Sequence, residues 1–461
     1  MKQIFPKRAP LAFAALVAAA AIAGCHSDTT APSTQASAIA PSTSPPATAI
    51  VATAVPGLAV LVTSSGGTPV EGAVVTFAVT AGGGAIQYGT ATSDAQGIAS
   101  AGLWQIGPKV GVNTATATVE GVAPLTFTVS SLPGSASKIS ANVGSGQQGA
   151  PGSTLPTPLT ARIADAGGNG KPGVVVTFAV ISGGGSLSST QATTDVNGDA
   201  TSGPWTLGTG LCIQRVTATA AALQTTFTGS SRSSIAVGGT ANGTLSASSC
   251  VVNGAFADEY DLTTSSGAVN ISLASAAIGA LINISNADAT ALIVSNGDIP
   301  PSLRLITASG PKTVASSAAP GSTGAYSLSV ASASSDVTDC SNVYIEIGAS
   351  TDQTLAPSDC KGYKSVSGDP FLLYIPAGTT VRISQTALPL DALIAFFSPT
   401  GAQIVERDNG GVGASGTEVI TYTAPTSGYY KIFASSYCLV YDDPYQANCD
   451  YGAYTLSVIK P

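Results

Sequence analysis

The chain has 461 residues, of which 17 are basic and 25 acidic, for a formal net charge of −8. That length holds roughly three or four domains of about 100–150 residues, and the acidic field excludes nucleic acid as a partner by repelling its phosphates. Only 9% of residues are charged and 6% aromatic, while 52 Gly and 28 Pro punctuate the chain; this excludes long helices and favours many short strands, an all-β class.

Lys2, Lys7 and Arg8 form a positive start, and Ala9 to Ala23 an apolar run too short to span a bilayer comfortably. The run ends in Ile22-Ala23-Gly24-Cys25, which resembles the lipobox of bacterial lipoprotein signal peptides. The resemblance implies cleavage after residue 24, a lipid on Cys25, and membrane attachment through it. His26, rather than Asp, follows Cys25 and points to onward sorting to an outer membrane and the cell surface. Residues 25–50 are dominated by Ser, Thr, Ala and Pro with no aromatic side chain. Such a stretch buries no core and is expected to be a disordered tether. As a Pro-rich extended chain it would reach on the order of 70 Å.

The most informative feature follows. Thr68 to Trp104 recurs 101 residues later as Asn169 to Trp205, with Phe77, Gly82-Gly83-Gly84, Asp94, Gly97 and Trp104 matching Phe178, Gly183-Gly184-Gly185, Asp195, Gly198 and Trp205. A period near 100 with β-branched runs means two copies of one β domain, not a short-period solenoid. Gly72 to Thr80 and its counterpart Gly173 to Ile181 are expected strands. The Gly triplets are expected to be tight loops at positive φ, and no following Lys-Ser/Thr makes them phosphate cradles. Asp94-Ala95-Gln96-Gly97 and Asp195-Val196-Asn197-Gly198 suit type I turns. Trp104 and Trp205 are better explained as buried between sheets than as ligand contacts.

This order of motifs resembles the bacterial Ig-like domain of the invasin and intimin type, over about Thr53–Ser130 and Lys138–Ser230. It implies two tandem Ig-like β-sandwiches, at 51–134 and 135–236, serving as a stalk. The C-terminal half has a weaker repeat. Asn242-Gly243-Thr244-Leu245 to Cys250 matches Asp352-Gln353-Thr354-Leu355 to Cys360, and Gly324-Ala325-Tyr326-Ser327-Leu328-Ser329-Val330 matches Gly452-Ala453-Tyr454-Thr455-Leu456-Ser457-Val458. These motifs resemble the pre-peptidase C-terminal domain and imply two jelly-roll-like sandwiches, at 237–335 and 336–461. Asp391-Ala392-Leu393 and Ser427-Gly428-Tyr429-Tyr430 fit that pattern in the second copy, where the first has Gly279-Ala280-Leu281 and Gly321-Ser322-Thr323.

Six cysteines remain beyond Cys25, an even number that suits disulfides in an exported chain. Cys438 and Cys449 flank a short polar loop and pair first; Cys340 with Cys360 comes next, and Cys212 with Cys250 remains. No two close Cys-Cys pairs form a zinc pattern. Beyond Ala236 the chain carries 8 basic and 18 acidic residues, which suits a cation, a basic partner or solubility. Asp258, Glu259, Asp261, Asp369, Glu406, Asp408, Asn409, Asp442, Asp443 and Asp450 are the available oxygen ligands. No EF-hand spacing joins them, so solvated turn acids are the default reading. Calcium is the only cofactor the resemblance brings into view, and no metal residues are assigned.

The one histidine, His26, lies beside Cys25, which removes Ser-His-Asp and Cys-His catalysis and histidine-bound zinc. No acid pair is gathered with aromatics as a glycosidase needs, so the chain is read as non-enzymatic. Seven of the 14 tyrosines fall between Tyr429 and Tyr454. Tyr430 and Tyr454 suit strand cores, leaving Tyr437, Tyr441, Tyr445 and Tyr451 as candidate ligand contacts, since tyrosine buries much area at low entropy cost. The expectation is a lipid-anchored surface protein whose stalk presents C-terminal sandwiches to an extracellular protein. A carbohydrate-binding module and a purely architectural envelope protein are the alternatives.

Overall fold

The computed structural model describes residues 35–461, apart from 253, 287–290, 295–301, 319, 339, 341–342, 388–389, 409–415 and 442–450. It is all-β. The chain divides into two compact units, Met1–Leu132 and Pro133–Pro461.

The first unit is a sandwich. One sheet runs in the order Thr48–Ile50, Leu125–Leu132, Gly111–Thr118, Val74–Ala81 and Thr90–Thr92; facing it are Ala38–Thr43, Ala59–Thr63 and Ile98–Ser100. Strand alternation sends Val75 and Phe77 inward while Val74 and Thr76 stay exposed. Trp104 closes the core with Val60, Val62, Phe127 and Val129 and is fully buried.

The expected tether is shorter than its composition suggests. Ala38–Thr43 pairs antiparallel with Ala59–Thr63, and Thr48–Ile50 pairs parallel with Leu125–Leu132, so both belong to the first sandwich. An edge strand needs few apolar contacts: Ala36, Ile39 and Ala49 supply them by packing against the core. Pro41 lies at the register shift of this outer strand, where a missing N–H costs little.

The second unit opens with the same arrangement. Its larger sheet runs Gln147–Gln148, Leu223–Ser230, Ile213–Ala220, Val175–Ser182, Gln191–Thr193, and Trp205 is again fully buried. The Gly triplets explain themselves here. All six glycines have φ between +73° and +90°, and the first of each triplet lies against a buried amide. A Cβ on Gly82 would stand 2.4 Å from Asn113 Oδ1, and one on Gly183 2.3 Å from Gln214 Cγ. Those amides in turn accept from the backbone, Asn113 Oδ1 from Gly107 N at 3.1 Å and Gln214 Oε1 from Gly208 N at 2.8 Å.

Beyond Arg232 the two C-terminal sandwiches have separate cores but one common sheet. Among the described residues nine strands form it, in the order Thr240–Leu245, Gly324–Ser332, Gly267–Ala274, Ser302–Thr307, Val343–Ile345, Asp369–Ile375, Gly428–Ser436, Ala392–Phe397, Gln403–Arg407. The join is Val343–Ile345, parallel to Ser302–Thr307 on one side and to Asp369–Ile375 on the other. Leu305 belongs to the first core, with Tyr260 and Leu262; its neighbour Ile306 belongs to the second, with Phe371, Val381 and Leu456. Consecutive strand residues point to opposite faces, so the two cores lie on opposite sides of the shared sheet.

Polar contacts hold the seams within this unit. Arg232, leaving the second sandwich, reaches Glu259 Oε2 at 2.8 Å and Asp261 Oδ1 at 3.1 Å. Cys212 and Cys250 are disulfide-bonded across the same junction. At the next seam buried Lys312 meets Glu346 at 3.2 Å.

Candidate functional site

The last sandwich carries the residues singled out for binding. Gly428–Ser436 runs directly into the short helix Tyr437–Tyr441, whose first N–H donates to Asp391 O at 2.9 Å. Tyr437 is half-buried there, and Tyr451 packs partly against the core of the last sandwich. The side chain of Tyr441, and the whole of Tyr445, Asp442, Asp443, Cys449 and Asp450, lie outside the described residues, as do Asn409, Cys25 and His26. The structure therefore brings Tyr451 to the core rather than to an exposed cluster. Cys438 is disulfide-bonded, and Cys340 is bonded to Cys360.

Tyr430 and Tyr454 are core residues. Tyr430 is 1% exposed and its hydroxyl donates to Thr426 O at 2.9 Å, four residues back. This is the tyrosine corner by which sandwiches fix an inter-strand crossing. Tyr454 donates to Asp369 Oδ2, and in the preceding sandwich Tyr326 donates to Asp258 Oδ2 at 2.8 Å.

These bonds correct the reading of the acids as solvated turn residues. Asp258 and Asp369 are buried, Glu259 and Asp261 are held by Arg232, and Glu406 accepts from the Tyr363 hydroxyl and Lys364. Burial, chiefly, pushes the Asp369 carboxyl up to about 8, with the negative field of Asp359 and Asp336 adding to it against the Tyr454 hydrogen bond. Burial likewise raises Asp258 and Asp359. Tyr454, itself fully enclosed, rises well above its usual value. Burial therefore favours the neutral form of these carboxyls, which works against binding a cation. Among the described residues no three His, Cys, Asp or Glu side chains gather in a way that could hold a metal ion. No described helix is long and apolar enough to cross a membrane.

The buried Tyr–Asp pairs are the residues that sequence reasoning missed. A signal was present: the two repeats align Tyr326 with Tyr454, and Asp258-Glu259-Tyr260 with Asp369-Pro370-Phe371.

No family model matches the chain. In sequence, 171 residues are 34% identical to the inverse autotransporter adhesin YeeJ of Escherichia coli K12. That stretch spans 36% of this chain but only 7% of the adhesin. Similar solved structures include the Escherichia coli adhesin FdeC, at 14% identity over 65% of this chain and 90% of that one, with a TM-score of 0.31. They also include the pre-peptidase C-terminal domain of a Bacillus anthracis collagenase, at 18% identity over 22% of this chain and 93% of that domain, with a TM-score of 0.17.

Proposed function

We propose that this chain is a non-enzymatic adhesive protein of the bacterial cell envelope. In this reading the two Ig-like sandwiches form a stalk and the fused C-terminal pair presents the binding face to an extracellular target. The observation that carries the reading is the 171-residue, 34% match to a curated adhesin, joined to a tandem repeat whose copies fold alike. The fold supplies the mechanical logic. Hydrogen-bonded strands resist extension, and a shared nine-stranded sheet joins the two C-terminal sandwiches through Val343–Ile345.

Cys25 is the proposed anchor, through a lipid added after cleavage at residue 24. The test is metabolic labelling with a clickable palmitate analogue, comparing the full chain with Cys25→Ser. Label on the first and none on the second supports the anchor; equal labelling contradicts it. For adhesion, a non-adherent host displaying the full chain should gain attachment to cells or matrix, and should lose it on protease shaving. Attachment that survives shaving of the chain overturns the reading.

A further inference from the structure

The face of the last sandwich turned away from its core holds an aromatic cleft that none of the functional assignments above uses. The loop from Cys360 to Gly368 folds over Phe433, held by the Cys340 disulfide and by Gly368 N donating to Cys360 O at 3.0 Å. Gly362 and Gly368 flank the ring so closely that a Cβ on either would lie 2.2 and 2.4 Å from it. This clamp places Tyr363 edge-on to Phe397 and Phe433, with ring centroids 5.4 and 6.3 Å apart. The Tyr363 hydroxyl is fixed too, donating to Glu406 and lying 2.8 Å from the side-chain amide of Gln403. Lys364 and Ser365, at the loop tip, hold φ of +52° and +62°, a conformation that costs free energy outside glycine and concentrates at binding sites.

The resulting cleft, of about 380 Å³, is lined by Gly362, Tyr363, Phe397, Gly401, Lys431 and Phe433. It lies at the small end of the range for ligand pockets. Its walls are half-buried rings and its floor is Phe433. Lys431 is exposed beside Phe397, its strand partner, and no ion pair joins it among the described residues. One step along the same face, Tyr374 and Tyr429 stand opposite each other with ring centroids 5.3 Å apart. Tyr374 and Leu372 share a face by alternation, as do Tyr429 and Lys431.

We propose that this cleft binds an acidic polysaccharide, seating one uronate ring on the open side of the contacting Tyr363 and Phe397 rings with its carboxylate on Lys431. Rings offer flat apolar faces to the C–H face of a sugar, and their fixed hydroxyls and amides meet its polar edge. Lys431 is the charged residue of the cleft's lining, and it supplies charge complementarity for a carboxylate. The neighbouring Tyr374–Tyr429 pair extends the platform for the next sugar, which suits a chain rather than a free monosaccharide. The cleft deepens the adhesive reading by naming its target class, and rests on that reading only for its biological meaning.

The test uses the purified full chain against immobilised polygalacturonate, alginate and hyaluronan, with neutral dextran and a proline-rich peptide as controls. Binding is expected to one or more uronate polymers and to weaken with salt. Tyr363→Ala should weaken it at least tenfold. Because that change could disturb the loop, exposed Lys431→Gln is the second variant, expected to weaken uronate binding several-fold with an unchanged circular dichroism spectrum. No uronate binding, equal binding to dextran, preference for the peptide, or binding indifferent to Lys431→Gln would each overturn the proposal. Failure here with adhesion intact removes the cleft alone; uronate binding without adhesion removes the surface reading and leaves the cleft.

Discussion

Tyr454 donates its hydroxyl to Asp369 across the two sheets of the last sandwich, joining the closing strand Gly452–Ile459 to the shared nine-stranded sheet. Tyr326 and Asp258 do the same between the sheets of the preceding sandwich, at 2.8 Å. Replacing Tyr454 by Phe keeps the ring and removes one buried hydrogen bond, a loss of about 1–2 kcal/mol. Tyr326→Phe should cost at least as much, because its hydroxyl also meets that of Tyr260 at 2.5 Å. Tyr260→Phe should cost less, since it leaves the Tyr326–Asp258 bond in place. Urea midpoints of the three variants check the order.

The raised carboxyl of Asp369 makes the C-terminal half more stable in mild acid. With its folded value about 8 and an unfolded value near 4, the folded state holds an extra proton between them. Stability from this group is full below about pH 4 and is lost as pH rises toward 8. Asp258 and Asp359 shift the same way. Asp165, in the second sandwich, is opposite: burial raises it, but hydrogen bonds from Asn169 and Gly134 outweigh that and lower it. Its contribution is present above the unfolded value and is lost only in stronger acid. Unfolding followed at pH 5 and pH 8 should show the C-terminal half stronger at pH 5, and Asp369→Asn should flatten the difference.

The strand through Val75 and Phe77, the paired tryptophans and the Gly triplets were all legible, because each is a local pattern tied to the 101-residue period. The join at Val343–Ile345 was not: three residues carry no measurable periodicity, and only the flanking strands decide what they pair with. Composition misled at Ala38–Thr43, where an edge strand needs just Ile39 and a few small residues turned inward. The acids misled for a related reason. Asp258 and Asp369 look solvated in sequence, and only the facing tyrosines, 68 and 85 residues later, explain their burial. Tyr363 stood apart from the tyrosine-rich C-terminal stretch, so clustering in sequence pointed away from the cleft it lines.

The Cys212–Cys250 bond closes a separation of 38 residues and should contribute about 4 kcal/mol by restricting the unfolded chain. Replacing both cysteines by Ser is expected to lower the melting temperature of the second compact unit. It should also raise hydrogen exchange in Ser231–Ile235, beside the Arg232 contacts. Unchanged exchange there would show that Arg232 alone secures the joint.

Lys312 and Glu346 are 3% and 7% exposed and lie 3.2 Å apart; Glu346 also accepts from Thr307 Oγ1 and Ala308 N, each at 3.0 Å. Lys312→Ala would leave that carboxylate buried without its cation, at a cost of about 3 kcal/mol. Denaturation monitored by intrinsic tyrosine fluorescence should show the midpoint fall. No shift would mean that the two hydrogen bonds are enough to hold the charge.

The most direct test of the adhesive account compares cells displaying the full chain with cells displaying residues 1–236, at equal surface density, for attachment to matrix and host cells. The account predicts attachment by the full chain and its loss in the truncated one, because the binding face lies in the fused C-terminal sandwiches. Equal attachment by both would place adhesion in the stalk and contradict it.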